Sequence, residues 1–253
     1  MRRRIRDVAP FPRQSAAILH RRTLGARSVD GEFRIDAAQD GEDFELTASY
    51  AAENLLRRMH REALAALPDP VRLRAAIARH AGRTFLIVGP QRSGKTTLAL
   101  ALLFDGFDVS GDELVLLHDG QATAFPWRFR VNETSIALLP LLRTVPAVVA
   151  RNGASARDWW FAVDPTDFGF SWEVAPAPVW AVFYLEPNHG GHSRVIETGK
   201  LDMARRLLAQ ATPPPSNRRG WIGEITGMVD EARTYVVQLG DPAAAAIAMK
   251  SLL

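Results

Sequence analysis

The chain has no cysteine among its 253 residues. That excludes disulfides, zinc–thiolate centres and thiol nucleophiles together, and it fits a reducing compartment. Lysine is almost as scarce. There are three, Lys95, Lys200 and Lys250, so the basic character rests on arginine. Net charge is only +3, with arginines gathered at Arg2–Arg6 and at Arg57, Arg58 and Arg61. Runs of this kind read as solvated faces rather than a nucleic-acid footprint. No apolar run nears the ~18 residues that span a bilayer. The longest, Ile136–Leu142 and Val145–Ala150, are split by Arg143 and Pro146. Met1–Phe11 is basic but lacks the apolar stretch of a signal peptide. A soluble cytoplasmic protein is expected, with neither membrane nor nucleic acid as partner.

At this length one domain, or a domain with an appendage, is the natural expectation. Residues 1–46 show little periodicity beyond strand-like pieces near Ala16–Leu19 and Glu32–Ile35, so the ordered domain is expected over 47–253. Thr47–Leu67 carries apolar residues at helical steps and stops at Pro68. Two β-like runs flank His80-Ala81-Gly82-Arg83, which predicts a hairpin. A second hairpin is predicted around Asp119-Gly120. Ala177–Pro187 reads as a buried strand, Leu201–Ala211 as a helix stopped by Pro213, and Thr234–Gly240 as a strand. A last helix is predicted with Asp241 as N-cap and Pro242 in its first turn. The stretches Asn188–Ser193 and Pro213–Arg219 read as loops. There is no internal repeat.

The most specific signal is Gly89-Pro90-Gln91-Arg92-Ser93-Gly94-Lys95-Thr96, a complete G-x-x-x-x-G-K-[ST] phosphate loop. Thr84–Val88 precedes it as a strand, and a helix is predicted from about Gly94 to Phe104. Glycines let the backbone curl so that its amides point inward, and the helix that follows adds the positive end of its dipole. Gly89, Gln91, Arg92, Ser93, Gly94, Lys95, Thr96 and Thr97 are therefore expected to hold the phosphates of ATP. Lys95 would reach the β and γ phosphates, and the Thr96 hydroxyl would ligate Mg²⁺. Pro90 has no amide hydrogen to give.

An ordinary phosphate-loop NTPase also needs a carboxylate at the end of a neighbouring apolar strand, and no clean case is present. Instead Asp112-Glu113 follows Gly111, 17 residues past Lys95. Two adjacent carboxylates can divide labour, one holding Mg²⁺ and the other taking a proton from an attacking hydroxyl. On a regular strand they would face opposite ways, so a bend or bulge at Gly111 is required if both are to face the phosphate. The alternative is a polar strand entrance without chemistry.

The order of strand, phosphate loop, helix and glycine-led acid pair, Gly106-Phe107-Asp108-Val109-Ser110-Gly111-Asp112-Glu113, resembles the HPr kinase/phosphorylase family. The likeness is greatest to its small bacterial relatives found beside peptide-modification gene clusters. It covers roughly Val71 to the C-terminus and is most specific over Leu73–Arg130. It implies an α/β fold: a phosphoenolpyruvate-carboxykinase-like P-loop core of mixed sheet with flanking helices. It also implies an ATP- and Mg²⁺-dependent kinase acting on a serine of a peptide or small protein. By position, Lys95 binds phosphates, Thr96 holds the metal, Asp112 is the general base and Glu113 assists the metal. The chain departs from the family at Arg74, where a histidine is common, and at Glu113, where the classical enzymes have Asp. It lacks a later glycine-rich signature tied to phosphorylase activity, and HPr itself is not expected as substrate.

Three rivals stay open: a small-molecule kinase, a non-catalytic nucleotide-binding partner in a peptide-maturation complex, and a nucleic-acid-linked NTPase. Three further features have two readings each. Arg128 and Arg130, at strand spacing, are either transition-state cations or a solvent-facing stripe. Trp159-Trp160 is either core or a peptide-docking surface. His189 and His192 flank two glycines and read as a loop rather than a metal site. An oligomer is compatible with everything above.

Overall fold

In the computed structural model, residues 25–29, 32–36, 58–67, 70–144, 149–151, 159–212 and 220–252 are described. The expected strand at Ala16–Leu19, the first part of the 47–67 helix, the arginines at Arg2–Arg6 and Arg57 and the Pro213–Arg219 loop lie outside them. So do the side chains of Trp159 and Trp160. The described residues fall into two units. The smaller contains a hairpin of β1 (Gly25–Val29) and β2 (Glu32–Asp36), paired antiparallel from Gly25↔Asp36 to Val29↔Glu32. It also holds helix α1 (residues 58–66) and a short strand at Val149–Arg151.

The larger unit contains a ten-stranded mixed sheet, and two of the unit's strands, Phe129–Val131 and Trp159–Val163, pair with each other outside that sheet. Its first strands are β3 (Val71–Leu73), β4 (Ala75–His80), β5 (Arg83–Val88), β6 (Asp108–Gly111), β7 (Val115–His118), β8 (Gln121–Ala124) and β9 (Phe129–Val131). With β10 for Val149–Arg151, the later strands are β11 (Trp159–Val163), β12 (Ala177–Pro187), β13 (Arg194–Glu197), β14 (Ala211–Thr212) and β15 (Arg233–Leu239). Its helices are α2 (Lys95–Phe104), α3 (Glu133–Leu138), α4 (Lys200–Leu208), α5 (Gly220–Glu231) and α6 (Pro242–Lys250).

Strand β12 is the spine. It runs parallel to β5 on one side and to β15 on the other, while β4 and β13 close the flanks antiparallel. At its start, Ala177 and Pro178 pair with β8 and carry the sheet on through β7, β3 and β14. Period-two alternation explains the layering. Phe85, Ile87, Phe183 and Leu185 face α2 and α6, whereas Leu86, Val88 and Val182 face α4 and α5. A strand buried on both faces needs a continuous apolar run, and Phe85–Val88 is one.

Both predicted hairpins are present. Ala81-Gly82 and Asp119-Gly120 turn with φ of 50 and 74° and of 51 and 72°, the double positive φ of a type I′ turn. His80 pairs with Arg83 as the last residue of β4, outside the turn proper. The terminal helix starts as predicted, with the Asp241 carboxylate accepting from the Ala244 amide at 2.7 Å. Helix α5 and strand β13 go beyond the elements the sequence pattern predicts. α5 contains Gly220, Gly223 and Gly227, poor helix formers, and is held by Ile225, Met228 and Val229 at helical spacing. Among the described residues no helix is long and apolar enough to cross a membrane.

Candidate functional site

The phosphate loop leaves β5 at Val88 and enters α2 at Lys95, as the sequence predicts. Its curl comes from two positive-φ residues, Arg92 at 64° and Gly94 at 92°. The glycines are needed for space as well. A Cβ on Gly89 would lie 2.7 Å from the Ser93 hydroxyl and 3.2 Å from Leu185. A Cβ on Gly94 would lie 2.6 Å from Leu239 Cδ2. Gly94→Ala therefore meets strain and a clash together. Its affinity for ATP, measured by calorimetry, is expected to fall by about tenfold or more, since about 1.4 kcal/mol suffices for that; an unchanged affinity would contradict this account of the loop.

Lys95 is 8 % exposed and folds back on its own loop. Its ammonium donates to the carbonyls of Gly89 and Pro90, each at 2.7 Å. Burial lowers its pKa to about 8, and Arg74's charge pushes the same way against Asp112 and Glu113. Ser93 Oγ is buried and has no hydrogen-bond partner among the described residues. The Thr97 hydroxyl faces α3 and shares a hydrogen bond with Ser135 Oγ at 3.1 Å, and Ser135 in turn donates to Asn132, the cap of α3. Of Thr97 only the amide remains for the loop, as one of the open amides of the helix start. Gln91 precedes the curl, and the side chains of Gln91 and Arg92 are exposed.

The acid pair meets this loop through a bulge and a bend. Strand β6 pairs with β4 at Ala78↔Val109 and again at Ile77↔Gly111, so Ser110 is the extra residue. Bulges re-aim the chain that follows them. Here Ser110 is pinned from both sides: its hydroxyl donates to Glu173 O at 2.8 Å, and Trp172 Nε1 donates to its carbonyl at 2.9 Å. The chain then bends at Asp112 and Glu113. Gly111 permits the close pass, since a Cβ there would lie 3.1 Å from Ala124 Cβ and 3.2 Å from Phe125 O.

Asp112 is buried, and burial is the main reason its pKa is raised to about 7. The Thr96 side chain hydrogen-bonds to it and lowers the value, Glu113 raises it, and Lys95 and Arg130 lower it. Lys95 feels both carboxylates. The required bend thus brings Asp112 and Glu113 to the same lysine, and Asp112 to the metal-binding hydroxyl expected at Thr96.

The two arginines of the Phe125–Val131 segment part company. Arg128 lies before β9, where Nε donates to Asp164 at 3.0 Å and its terminal nitrogen to Asp167 at 2.6 Å. Those acids form the capping box of a 3₁₀ turn at Pro165–Phe168. Arg130 lies within β9 and acts on Asp112. Arg128→Ala is expected to cost about 1–2 kcal/mol of stability, because two carboxylates lose a partly buried partner. A thermal melt measures that, and nucleotide affinity should not move. His80 stands at the far end of β4 from Ala75, which pairs with Val88 beside the loop; that is roughly 16 Å along the strand. Its ring packs on Phe107 at 4.5 Å. His189 and His192 lie in an open loop after β12.

Beside the acid pair lies a cleft of about 390 Å³. Arg72, Arg74, Glu113, Leu114 and Trp127 line it, with residues 209–212 completing the wall. No single motif announces it, because its walls come from β3, the bend after β6 and β14.

The loop suits a nucleotide's phosphates on three counts. Its backbone is curled at Arg92 and Gly94 and passes close to its neighbours at Gly89 and Gly94, a buried hydroxyl lacks a partner, and a lysine is held by carbonyls it can leave. Among the described residues no group of three or more His, Asp or Glu is gathered for a metal. A magnesium ion held by Thr96 and Glu113 would complete its oxygen shell with phosphate and water, its usual habit. No protein-family model matches the chain, and no curated protein matches it.

Proposed function

We propose that the chain is an ATP- and Mg²⁺-dependent phosphotransferase, moving the γ-phosphoryl group to a serine hydroxyl of a peptide or small protein. The architecture in this reading is a phosphoenolpyruvate-carboxykinase-like core of the HPr-kinase kind. The observation that carries it is a buried Asp112, hydrogen-bonded to Thr96 at the mouth of a phosphate loop, with Lys95 in electrostatic reach.

Each side chain then has a task. Lys95 leaves the Gly89 and Pro90 carbonyls for the β and γ phosphates. Thr96 and Glu113 would hold Mg²⁺, which would supply positive charge to the phosphates. Asp112 accepts the serine proton while the serine oxygen bonds to the γ phosphorus and ADP departs with the bridging electron pair. Arg130, beside Asp112, adds positive charge where negative charge accumulates. Positioning and charge neutralisation supply nearly all of the catalysis in such transfers.

The cleft's volume favours a second reading, a kinase of a small molecule, because about 390 Å³ is near the low end of small-ligand pockets. Incubation with labelled ATP and matched acceptors (serine peptides, free serine, simple sugars) separates them. Label on peptides alone supports the first reading. Label on free acceptors alone overturns it in favour of the second.

A further inference from the structure

Arg72 in β3 and Arg74, the residue just past its end, alternate with the buried Val71 and Leu73. The segment that carries them is fixed on both sides. Arg72 is opposite Leu116 in β7 and Thr212 in β14, and the Arg74 amide donates to Gln210 O at 3.1 Å. Both arginines line the cleft, and among the described residues the one acid lining it is Glu113. Among the described residues the Arg74 guanidinium makes no hydrogen bond or ion pair, and its charge bears on Lys95. The cleft is thus a preformed positive pocket. It adjoins the transfer site twice, through Glu113 next to Asp112 and through Arg74 near Lys95.

We propose that this cleft receives the acceptor, and that Arg72 and Arg74 select a serine flanked by carboxylates, as in an acidic peptide segment. The proposal rests on the phosphotransferase reading for the identity of the bound group as an acceptor, and it adds the chemistry by which the acceptor is chosen. The loop's own amides and Lys95 serve the phosphates, which leaves the Arg74 guanidinium for a different anion, with Arg72 adding charge beside it. A guanidinium fork matches a carboxylate with two parallel hydrogen bonds. Leu114 and Trp127 offer apolar surface to the methylenes of an acidic side chain. The volume admits the serine and one or two flanking side chains, not a folded face.

Calorimetry on the full chain, saturated with Mg²⁺ and a non-hydrolysable ATP analogue, tests this. Two peptides are titrated, acetyl-Glu-Glu-Ser-Glu-Glu-amide and its Gln counterpart. The wild type is expected to bind the acidic peptide at least about tenfold more tightly, the scale of one charge-assisted contact, and the preference should shrink with added salt. Arg72→Gln and Arg74→Gln should remove most of it, and Arg74→Lys should restore part, since a lysine keeps the charge but not the fork. Affinity of the Arg72→Gln protein for the ATP analogue should stay within about threefold, a shift of well under 1 kcal/mol. Equal affinity of the wild type for both peptides would overturn the proposal. So would variants that lose the nucleotide and keep the peptide preference, which would give the cleft to the nucleotide. Binding of a free hydroxy dicarboxylate with refusal of both peptides would overturn the peptide assignment. Because the readout is binding, an acidic preference without any phosphoryl transfer would sink the kinase reading and leave this cleft assignment standing.

Discussion

Lys95→Ala is expected to abolish phosphoryl transfer. The side chain is the buried positive charge in the loop, and in the proposed reaction it meets the charge that develops on the phosphates. Removing one preorganised charge-stabilising donor costs on the order of 10²–10³ in rate. A lysine that also binds the ground-state phosphates costs affinity besides. A second effect follows from the neighbourhood. Lys95 pulls the Asp112 pKa down, so its loss leaves Asp112 harder to ionise and a poorer base. ATP affinity by calorimetry and transfer by mass spectrometry should both fall. A variant that binds ATP normally and transfers at the wild-type rate would remove Lys95 from the site.

Asp112→Asn is expected to separate binding from transfer. The amide preserves the shape and can still accept a hydrogen bond from Thr96, so ATP should still bind. It cannot take up the serine proton, and loss of a general base costs about 10²–10⁴ in rate. The same substitution should stabilise the protein free of nucleotide and metal. Burial raises the carboxyl's pKa from 3.8 to about 7, so the fold prefers the protonated acid. Stability from that preference is fully present below pH 4 and is lost as pH rises through 7. The ionised form is then carried at a cost on the order of 2–4 kcal/mol, because each tenfold change in a proton-binding equilibrium is worth roughly 1.4 kcal/mol. The neutral amide of the variant escapes the cost. Melts at pH 8 should therefore favour the variant by several degrees, and the gap should close toward pH 4. No gain at pH 8 would mean that the buried carboxylate is better compensated than its surroundings indicate.

How far these features are legible in the sequence follows from their range. The loop, its strand and its helix are local, and the glycine spacing carries them. The two hairpins are equally local, because Ala81-Gly82 and Asp119-Gly120 supply the positive φ their turns demand. The sequence alone requires the bend that brings Asp112 and Glu113 together, but it does not show the means. Those are the Ser110 bulge and its anchors at Trp172 and Glu173, some sixty residues away. Arg128 and Arg130 share a spacing, yet only tertiary partners decide their separate fates. Asp164 and Asp167 claim the first, and the charge of the second acts on Asp112. The arginine cleft is hidden for the same reason, since β3 meets β14 across most of the domain's length. Helix α5 escapes a reading of the sequence because its glycines argue against a helix, and packing on the sheet overrides that local preference.

The most direct test of the central claim is intact-mass spectrometry of serine-bearing peptides incubated with ATP, Mg²⁺ and either the wild type or Asp112→Asn. ATP binding is measured on both proteins in parallel. The account predicts a gain of one phosphate with the wild type and none with Asp112→Asn, while both bind ATP. An equal gain with the variant would refute the base assignment, and no gain with a wild type that binds ATP tightly would refute the peptide kinase.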